Sequence, residues 1–124
     1  QGFAVGDAAV EAGSYSRRFG TSGTITNNQT NSNGLGVSFS SNSGDEHAVE
    51  IDYTITRSSQ KRQGVLRITQ DGTAQVIDDD FSENNGTTGV TFSLTNSSNI
   101  TTLLYTSTNT GTSGTMQYSI RTIS

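Results

Sequence analysis

Three groups of side chains in this sequence have the chemical types that catalysis or ion binding requires. The first is the single histidine, His47, in the stretch "SGDEHAVEI", with Ser43 and Asp45 nearby. The members of a Ser–His–Asp triad usually come from distant segments of a fold, and residues within one short loop rarely reach the required geometry. We therefore interpret His47 as a solvated loop residue and predict no triad.

The second group is the acidic cluster of Asp78, Asp79 and Asp80, followed by Glu83. Carboxylates clustered on a loop can bind calcium, whereas a glycosidase pair lies across a cleft and is not contiguous in sequence. Acidic residues at a strand end also discourage edge-to-edge pairing between sheets. Because the D-x-D-x-D-G spacing of EF-hand loops is absent, we favour the solvated strand end and keep calcium as the alternative. No metal ligand is assigned.

The third group consists of four cations within eleven residues, Arg57, Lys61, Arg62 and Arg67. Such a cluster can hold a sulfate, a phosphate or an acidic sugar. It can equally pair with aspartates across strands or between subunits. We favour pairing, because the acidic residues of the same chain are sufficient partners. Since no nucleophile, base or metal is supported by other groups, we predict that the protein is not an enzyme and uses no cofactor.

The composition excludes several other classes of function. The net charge is −4 and there is no basic stripe, which argues against nucleic-acid binding. No apolar run approaches the roughly 18–20 residues of a membrane span, so we expect no membrane insertion. The chain has no Cys and therefore no disulfide. Ser, Thr, Asn and Gly make up half of the residues, and large aliphatic residues with Phe about 20%, which predicts a folded protein with a thin core.

The apolar residues alternate with polar ones at the period of β-strands. Runs of this kind occur at 35–39, 49–55, 66–68, 74–76, 90–94, 101–105 and 116–120, separated by turn-forming stretches such as "SNSGDE" and "DG". We predict an all-β fold, an antiparallel β-sandwich or jelly roll of about seven to eight strands, over residues 35–124. Residues 1–34 are predicted to be a short, irregular N-terminal attachment segment and polar linker.

Several segments, "IDYTITR", "RQGVLRITQDGT", "DDDFSE", "GVTFSL" and "LLYTSTNTGTSGTMQYSIR", resemble in this order a β-rich domain of tailed-bacteriophage virion proteins, of the tail-fibre or appendage type. The resemblance covers about residues 47–122. It implies a non-enzymatic structural protein of the virion, often trimeric, which contacts other virion proteins and whose distal parts meet the host surface. A bacterial surface adhesin or carbohydrate-binding module, and a capsid decoration protein, remain the alternatives.

If the domain binds a host glycan, we expect the contacts to come from its polar loops, because loops tolerate variation while the sheets supply rigidity. The loops are "SSQKRQ" at 58–63, "SENNGTTG" at 82–89 and "STNTGTSG" at 107–114. The candidate contacts to a receptor are Ser58, Lys61, Arg62, Asn84, Asn85 and Asn109.

A homotrimer is the predicted assembly, because a core this thin makes a single sandwich only marginally stable. Some apolar residues are also out of phase with their strands and would be buried only against another subunit. The candidate subunit contacts are Arg57, Arg67, Val65, Ile77 and Leu104.

Overall fold

Nine β-strands make up the regular structure of a computed structural model that describes residues 15–42, 48–71 and 74–123, with residues 15–20 described through their backbone alone. In chain order, the strands are β1 (Tyr15–Ile25), β2 (Gln29–Ser32), β3 (Ser38–Ser40), β4 (Ala48–Arg57), β5 (Gln60–Asp71), β6 (Ala74–Asn84), β7 (Val90–Ser97), β8 (Ile100–Ser107) and β9 (Gly114–Ile123). The described part of the chain has no helix that is long and apolar enough to cross a membrane.

The strands form two antiparallel sheets. The five-stranded sheet has the order β1-β9-β4-β5-β6. In the four-stranded sheet, β8 pairs with β7 along its whole length and with β2 and β3 near its two ends. The predicted all-β, antiparallel sandwich is therefore confirmed, with nine strands in the described residues where about seven to eight were expected.

The core lies between the two sheets and follows from the period of two. On β4, the buried residues Val49, Ile51, Tyr53 and Ile55 alternate with more exposed polar ones. The same alternation places β5, β8 and β9 side chains inside. Tyr105 and Tyr118 join the core as expected for tyrosines on apolar faces. The remaining buried apolar residues are Ile25, Leu35, Val37, Phe39, Leu66, Ile68, Val90, Leu103, Met116 and Ile120.

The N-terminal boundary of the folded unit lies earlier than the sequence indicates. Residues 15–32 were expected in an attachment segment and linker, but β1 pairs with β9 and β2 pairs with β8. Backbone hydrogen bonds to β9 do not require apolar alternation, and Ile25 is the one large apolar side chain that β1 buries among its described side chains. An edge strand of this kind therefore has little pattern to recognise. The expected attachment role of residues 1–14 lies outside the described residues.

The side chains of β6 face the opposite way from the sequence-based expectation. Ile77 was expected to be out of phase and available to another subunit, but it pairs with Ile68 and packs against the core. Its neighbour Val76 instead points outward with 68% of its surface exposed. The assignment of Ile77 as a subunit contact is therefore wrong, because the register between β5 and β6 turns its side chain inward.

Gly64, within β5, lies in close contact with residues of both neighbouring strands. A methyl group at position 64 would lie 2.8 Å from Cβ of Phe81, 2.8 Å from Oη of Tyr53 and 2.9 Å from the carbonyl oxygen of Asp80. We expect Gly64→Ala to lower the free energy of unfolding by about 1–3 kcal/mol in urea denaturation. Thr54→Ala, at an exposed position of β4, is the control and should change it by no more than about 0.5 kcal/mol. An equally small effect of Gly64→Ala would contradict this packing.

Candidate functional site

Four chain connections meet at one end of the sandwich, which we call the loop end: residues 26–28, 58–59, 85–89 and 108–113. Hydrogen bonds tie them in pairs. The side chain of Asn27 donates to Oδ1 of Asn109 at 3.0 Å, and Thr108 donates its backbone N–H to the carbonyl of Gly89 at 3.0 Å. Asn85 donates its side-chain amide to the carbonyl of Ser59 at 3.1 Å. The structure thus unites the three loops singled out in the sequence with a fourth, 26–28.

The chain turns sharply at these loops by adopting left-handed backbone conformations. Asn28, Ser58 and Asn85 have φ angles of 58°, 56° and 67°. Asn is among the residues that tolerate this region best, which explains part of the Asn content of these loops. Gly89, with φ 69°, lies so close to Thr108 that a Cβ there would come within 2.2 Å of its hydroxyl oxygen. The loops are therefore in contact with one another.

Arg57 holds three of these four connections together, and the fourth, 58–59, directly follows it in the chain. Arg57 is the last residue of β4, and only 2% of its surface is exposed. Its guanidinium donates to four oxygens: from Nε to the carbonyl of Thr112 (2.8 Å), from Nη1 to the carbonyl of Thr88 (2.9 Å), and from Nη2 to Oδ1 of Asn27 (2.7 Å) and the carbonyl of Thr108 (2.6 Å). All four acceptors are neutral, three of them backbone carbonyls and one a side-chain amide, so the planar fork acts here as a multiple donor rather than as an ion-pair partner.

This position corrects one sequence-based assignment. Arg57 was a candidate subunit contact, but a side chain buried to this degree is not available to a neighbouring chain. The sequence alone does not indicate this position, because three of the four hydrogen-bond partners of Arg57 are backbone carbonyls, which every residue type carries. Asn27, which also accepts hydrogen bonds from the backbone of Thr110 and Gly111, was missed for the same reason.

Arg62 forms a second buried cluster, between β5, β6 and β7. Its surface is 3% exposed, and it forms an ion pair with Asp79 on β6. Nε donates to Oη of Tyr53 at 3.0 Å, Nη1 donates to the carbonyl of Val90 at 2.6 Å, and the guanidinium carbon lies 3.7 Å from the ring centre of Phe81. Arg62 was a candidate receptor contact, and this assignment is wrong because the side chain points between the sheets.

The cations do pair with acids of their own chain, as predicted, in the case of Arg62 and of Arg67. Arg67 is half-exposed on the other side of β5, with Nε 3.7 Å from Glu50 and Nη1 3.7 Å from Asp80. As a subunit contact, Arg67 stays a prediction, and so do Val65 and Leu104, which are partly exposed on the outward sides of their strands.

Two further groups of the Arg62 cluster have shifted pKa values. Burial, followed by the hydrogen bond that Tyr53 donates to Asp79 at 2.7 Å, raises the pKa of the Tyr53 hydroxyl above its ordinary value. Burial of Glu83 opposes its ionisation, but Thr88 donates both its hydroxyl (2.7 Å) and its backbone N–H (2.9 Å) to the carboxylate. These hydrogen bonds and Arg62 lower the pKa of Glu83 below its ordinary value.

The acidic cluster does not act as one group, because strand alternation divides it. Asp79 points inward to Arg62, whereas Asp78 and Asp80 are exposed on the opposite side of β6. Within residues 15–42, 48–71 and 74–123, no set of three or more acidic or histidine side chains is arranged to hold a metal ion. His47 lies outside the described residues.

The other candidate receptor contacts lie at or beside the loop end and are exposed: Ser58, Lys61, Asn84, Asn85 and Asn109. Lys61 and Asn84 are register partners on β5 and β6, next to the turns that contain the rest. With its exposed hydroxyls and amides, the surface offers neutral donors and acceptors rather than a charged or apolar patch. Such a surface suits hydrogen bonding to a polar, uncharged ligand.

Comparison with known proteins identifies one weak structural similarity and no family. No protein-family model matches the sequence, and no curated protein is similar to it. Among solved structures, the chain is similar to the tailspike protein of Acinetobacter phage vB_ApiP_P1, with a TM-score of 0.36 and 15% sequence identity. The match covers 95% of this chain but only 24% of the tailspike chain. A similarity at this level carries no argument for function.

The role of Arg57 is tested with Arg57→Lys, which keeps the charge but replaces the planar fork by a single ammonium group. We expect the free energy of unfolding to fall by about 2–4 kcal/mol, because buried carbonyls lose their donor. Amide hydrogen exchange should also quicken together at residues 86–89 and 108–113. Lys61→Met, at an exposed neighbouring cation, is the control. Unchanged exchange in these two segments of Arg57→Lys would contradict the role of the guanidinium in joining the loops.

The lowered pKa of Glu83 makes a prediction about acid stability. A carboxyl whose pKa is lower in the folded than in the unfolded state stabilises the fold above its ordinary pKa of 4.5, and the contribution is lost as pH falls through the folded value. We expect Glu83→Gln to be less stable than the wild type at neutral pH, and the difference to shrink below about pH 4.5. Asp71→Asn, exposed at the end of β5, controls for the change in net charge. A difference that is constant from neutral pH to about pH 3 would count against the prediction.

Proposed function

We propose that this chain is a non-enzymatic structural module of a bacteriophage virion, of the tail-fibre or appendage type, and that its loop end contacts a host receptor. The sequence resemblance over residues 47–122 supports the virion role. The observation that carries the receptor role is the loop end itself, where connections from both sheets are fixed to one buried guanidinium.

A rigid polar surface suits recognition outside the cell. Binding by loops that are already ordered avoids the entropic cost of fixing them at the moment of contact. The exposed groups at the loop end are amides, hydroxyls and one ammonium group, such as those of Asn84, Asn109, Ser58 and Lys61. Sugar hydroxyls need neighbouring donors and acceptors of this kind. A host surface glycan is therefore the receptor class that we propose.

The proposal that the protein is not an enzyme is supported by the contacts of two acidic side chains among the described residues. Asp79 is bound to Arg62 and Tyr53, and Glu83 is bound to Thr88. A general base must be within hydrogen-bond reach of a substrate proton. These two carboxylates are instead turned inward and used as acceptors for groups of the protein. Incubation with polysaccharides, peptides and esters should accordingly release no product above background.

The virion role is tested by locating the protein in phage particles. We expect mass spectrometry of density-purified particles, from a lysate of the phage or lysogen that encodes the sequence, to detect its peptides at a constant ratio to the other tail proteins. Gold-labelled antibodies should mark the tail. Detection on the bacterial surface instead would favour an adhesin, and labelling of the capsid would favour a decoration protein; either result contradicts the proposal.

Receptor contact is tested separately with purified protein and cells of the host. The triple variant Lys61→Ala, Asn84→Ala, Asn109→Ala removes exposed groups of the loop end while leaving Ser58 and Asn85, whose positive φ angles shape the turns. We expect binding of the labelled protein to the cells to weaken at least about 10-fold, equivalent to about 1.4 kcal/mol.

The matched control replaces the same number of exposed residues on a different surface, the outward side of β7: Thr91→Ala, Thr95→Ala and Ser97→Ala. This variant should bind the cells as the wild type does. Equal binding by both triple variants would remove the loop end as the receptor surface, without affecting the location of the protein in the particle.

A further inference from the structure

The outer face of the five-stranded sheet, the side turned away from the four-stranded sheet, is not covered by any of the residues that the structure describes, and it has an ordered pattern of side chains. Because paired strands keep their register, residues on β9, β4, β5 and β6 line up in rows across the sheet. One row is charged and the row beside it, toward the end opposite the loop end, is largely apolar. Neither row takes part in the receptor contact proposed for the loop end.

Across β9, β4, β5 and β6 the charged row alternates in sign, and on the fifth strand, β1, Arg17 is in register with Arg121. The row consists of Arg121 on β9, Glu50 on β4, Arg67 on β5 and Asp78 on β6. Within the chain, Glu50 forms ion pairs with both of its neighbours, and Arg67 also approaches Asp80. Among the described residues, Asp78 makes no ion pair and is exposed. The row therefore ends in a carboxylate that is available to an outside cation.

The apolar row has Ile123, Ala48, Thr69 and Val76 in register on the same four strands. The outermost two are large and exposed, Ile123 at 45% and Val76 at 68%. They lie on β9 and on β6, about 14 Å apart for three strand spacings. Neither can cover the other within one chain.

We propose that a second copy of this chain docks on the outer face about a two-fold axis that runs along the strands, between β4 and β5. Such an axis reverses the order of the strands but keeps each row opposite itself. Arg121 then faces the partner's Asp78, and Glu50 faces the partner's Arg67. In the neighbouring row, Ile123 faces the partner's Val76. The charged side chains thus meet side chains of opposite charge, and the exposed apolar side chains meet each other. The two-fold axis makes every contact occur twice.

The charge pattern selects this axis over the alternatives. A two-fold axis running across the strands would place Arg121 opposite the partner's Arg121, and like charges at an interface are strongly unfavourable. A cyclic trimer uses heterologous contacts, in which a face does not meet itself, so the self-complementarity of the rows would serve no purpose. The two-fold contact is thus distinct from the homotrimer expected from the sequence.

The size of the face indicates how strong the contact is. Four strands of about ten residues cover on the order of 600 Å² per copy, below the roughly 800 Å² that each partner contributes to a standard interface. Sheets that stack face to face keep their strands within about 30° of each other, which the long arginine side chains can follow. The dimer should therefore be weak and best observed at high protein concentration.

The test is a charge exchange between positions 121 and 78, whose side chains are too far apart to pair within one chain. At about 200 µM, a concentration that populates weak dimers, sedimentation equilibrium of the wild type should give an average mass between one and two times the chain mass of 13.1 kDa, rising with concentration. Arg121→Glu and Asp78→Arg should each raise the dimer dissociation constant at least about 10-fold, because each places like charges together twice. Thr91→Glu, exposed on the outward side of the four-stranded sheet, should leave the wild-type constant.

An equimolar mixture of the two single variants is the decisive sample. In a mixed dimer, Glu at position 121 meets Arg at position 78, and the second contact keeps its native residues, so dimers should reappear with about the wild-type constant. Arg121→Glu also removes the ion pair with Glu50 of its own chain, and this change is the same in the single variant and in the mixed dimer. Rescue in the mixture therefore reports on the contact between the two copies. A monomeric wild type at this concentration, a mass three times that of the chain, or a mixture that stays monomeric would each overturn the proposal.

Discussion

A guanidinium group carries five N–H donors in one plane, and at two places this sandwich removes such a group from water. Arg57 and Arg62 are 2% and 3% exposed. A buried donor left without an acceptor costs free energy, so every chain segment around these groups must present an oxygen at a defined position. Arg57 thereby fixes three loops from both sheets, and Arg62 fixes the edge strand β6 against β7. The geometry of the loop end follows from this requirement.

The same principle explains how a sequence with few large apolar residues fills a sandwich. The middle of the interior is aliphatic and aromatic, but both of its ends are polar. At the end away from the loops, Gln70 donates to the carbonyl of Ser40 at 2.9 Å and accepts from the hydroxyl of Thr101 at 2.7 Å. Asn96 in turn donates to Thr101 and Ser41. Abundant Ser, Thr and Asn are therefore part of the interior as well as of the surface.

The sequence predicts the strands that follow from the alternation of apolar and polar residues. It does not predict side-chain positions that depend on strand register or on hydrogen bonds to backbone groups. Alternating residues on β4 and β9 identified the strands and the buried face. The inward position of Ile77 depends on the register in which β6 pairs with β5, which alternation alone does not determine. Arg57 and Arg62 were recognised as unusual cations but placed outside, because their partners are mostly backbone carbonyls, an amide and a phenol. Only the acidic partners of Arg62, Asp79 and Glu83, left a signal that charge reasoning could use.

Solution NMR of the arginine side chains tests most directly whether buried guanidinium groups organise the fold. In an ¹⁵N–¹H spectrum of the wild-type protein, the Nε–H signals of Arg57 and Arg62 should exchange slowly with water, because both protons are held in hydrogen bonds away from solvent. Those of half-exposed Arg67 should exchange rapidly. The slow signals should be assigned by their separate loss in Arg57→Lys and Arg62→Lys. Exchange of Arg57 and Arg62 as fast as that of Arg67 would contradict the account.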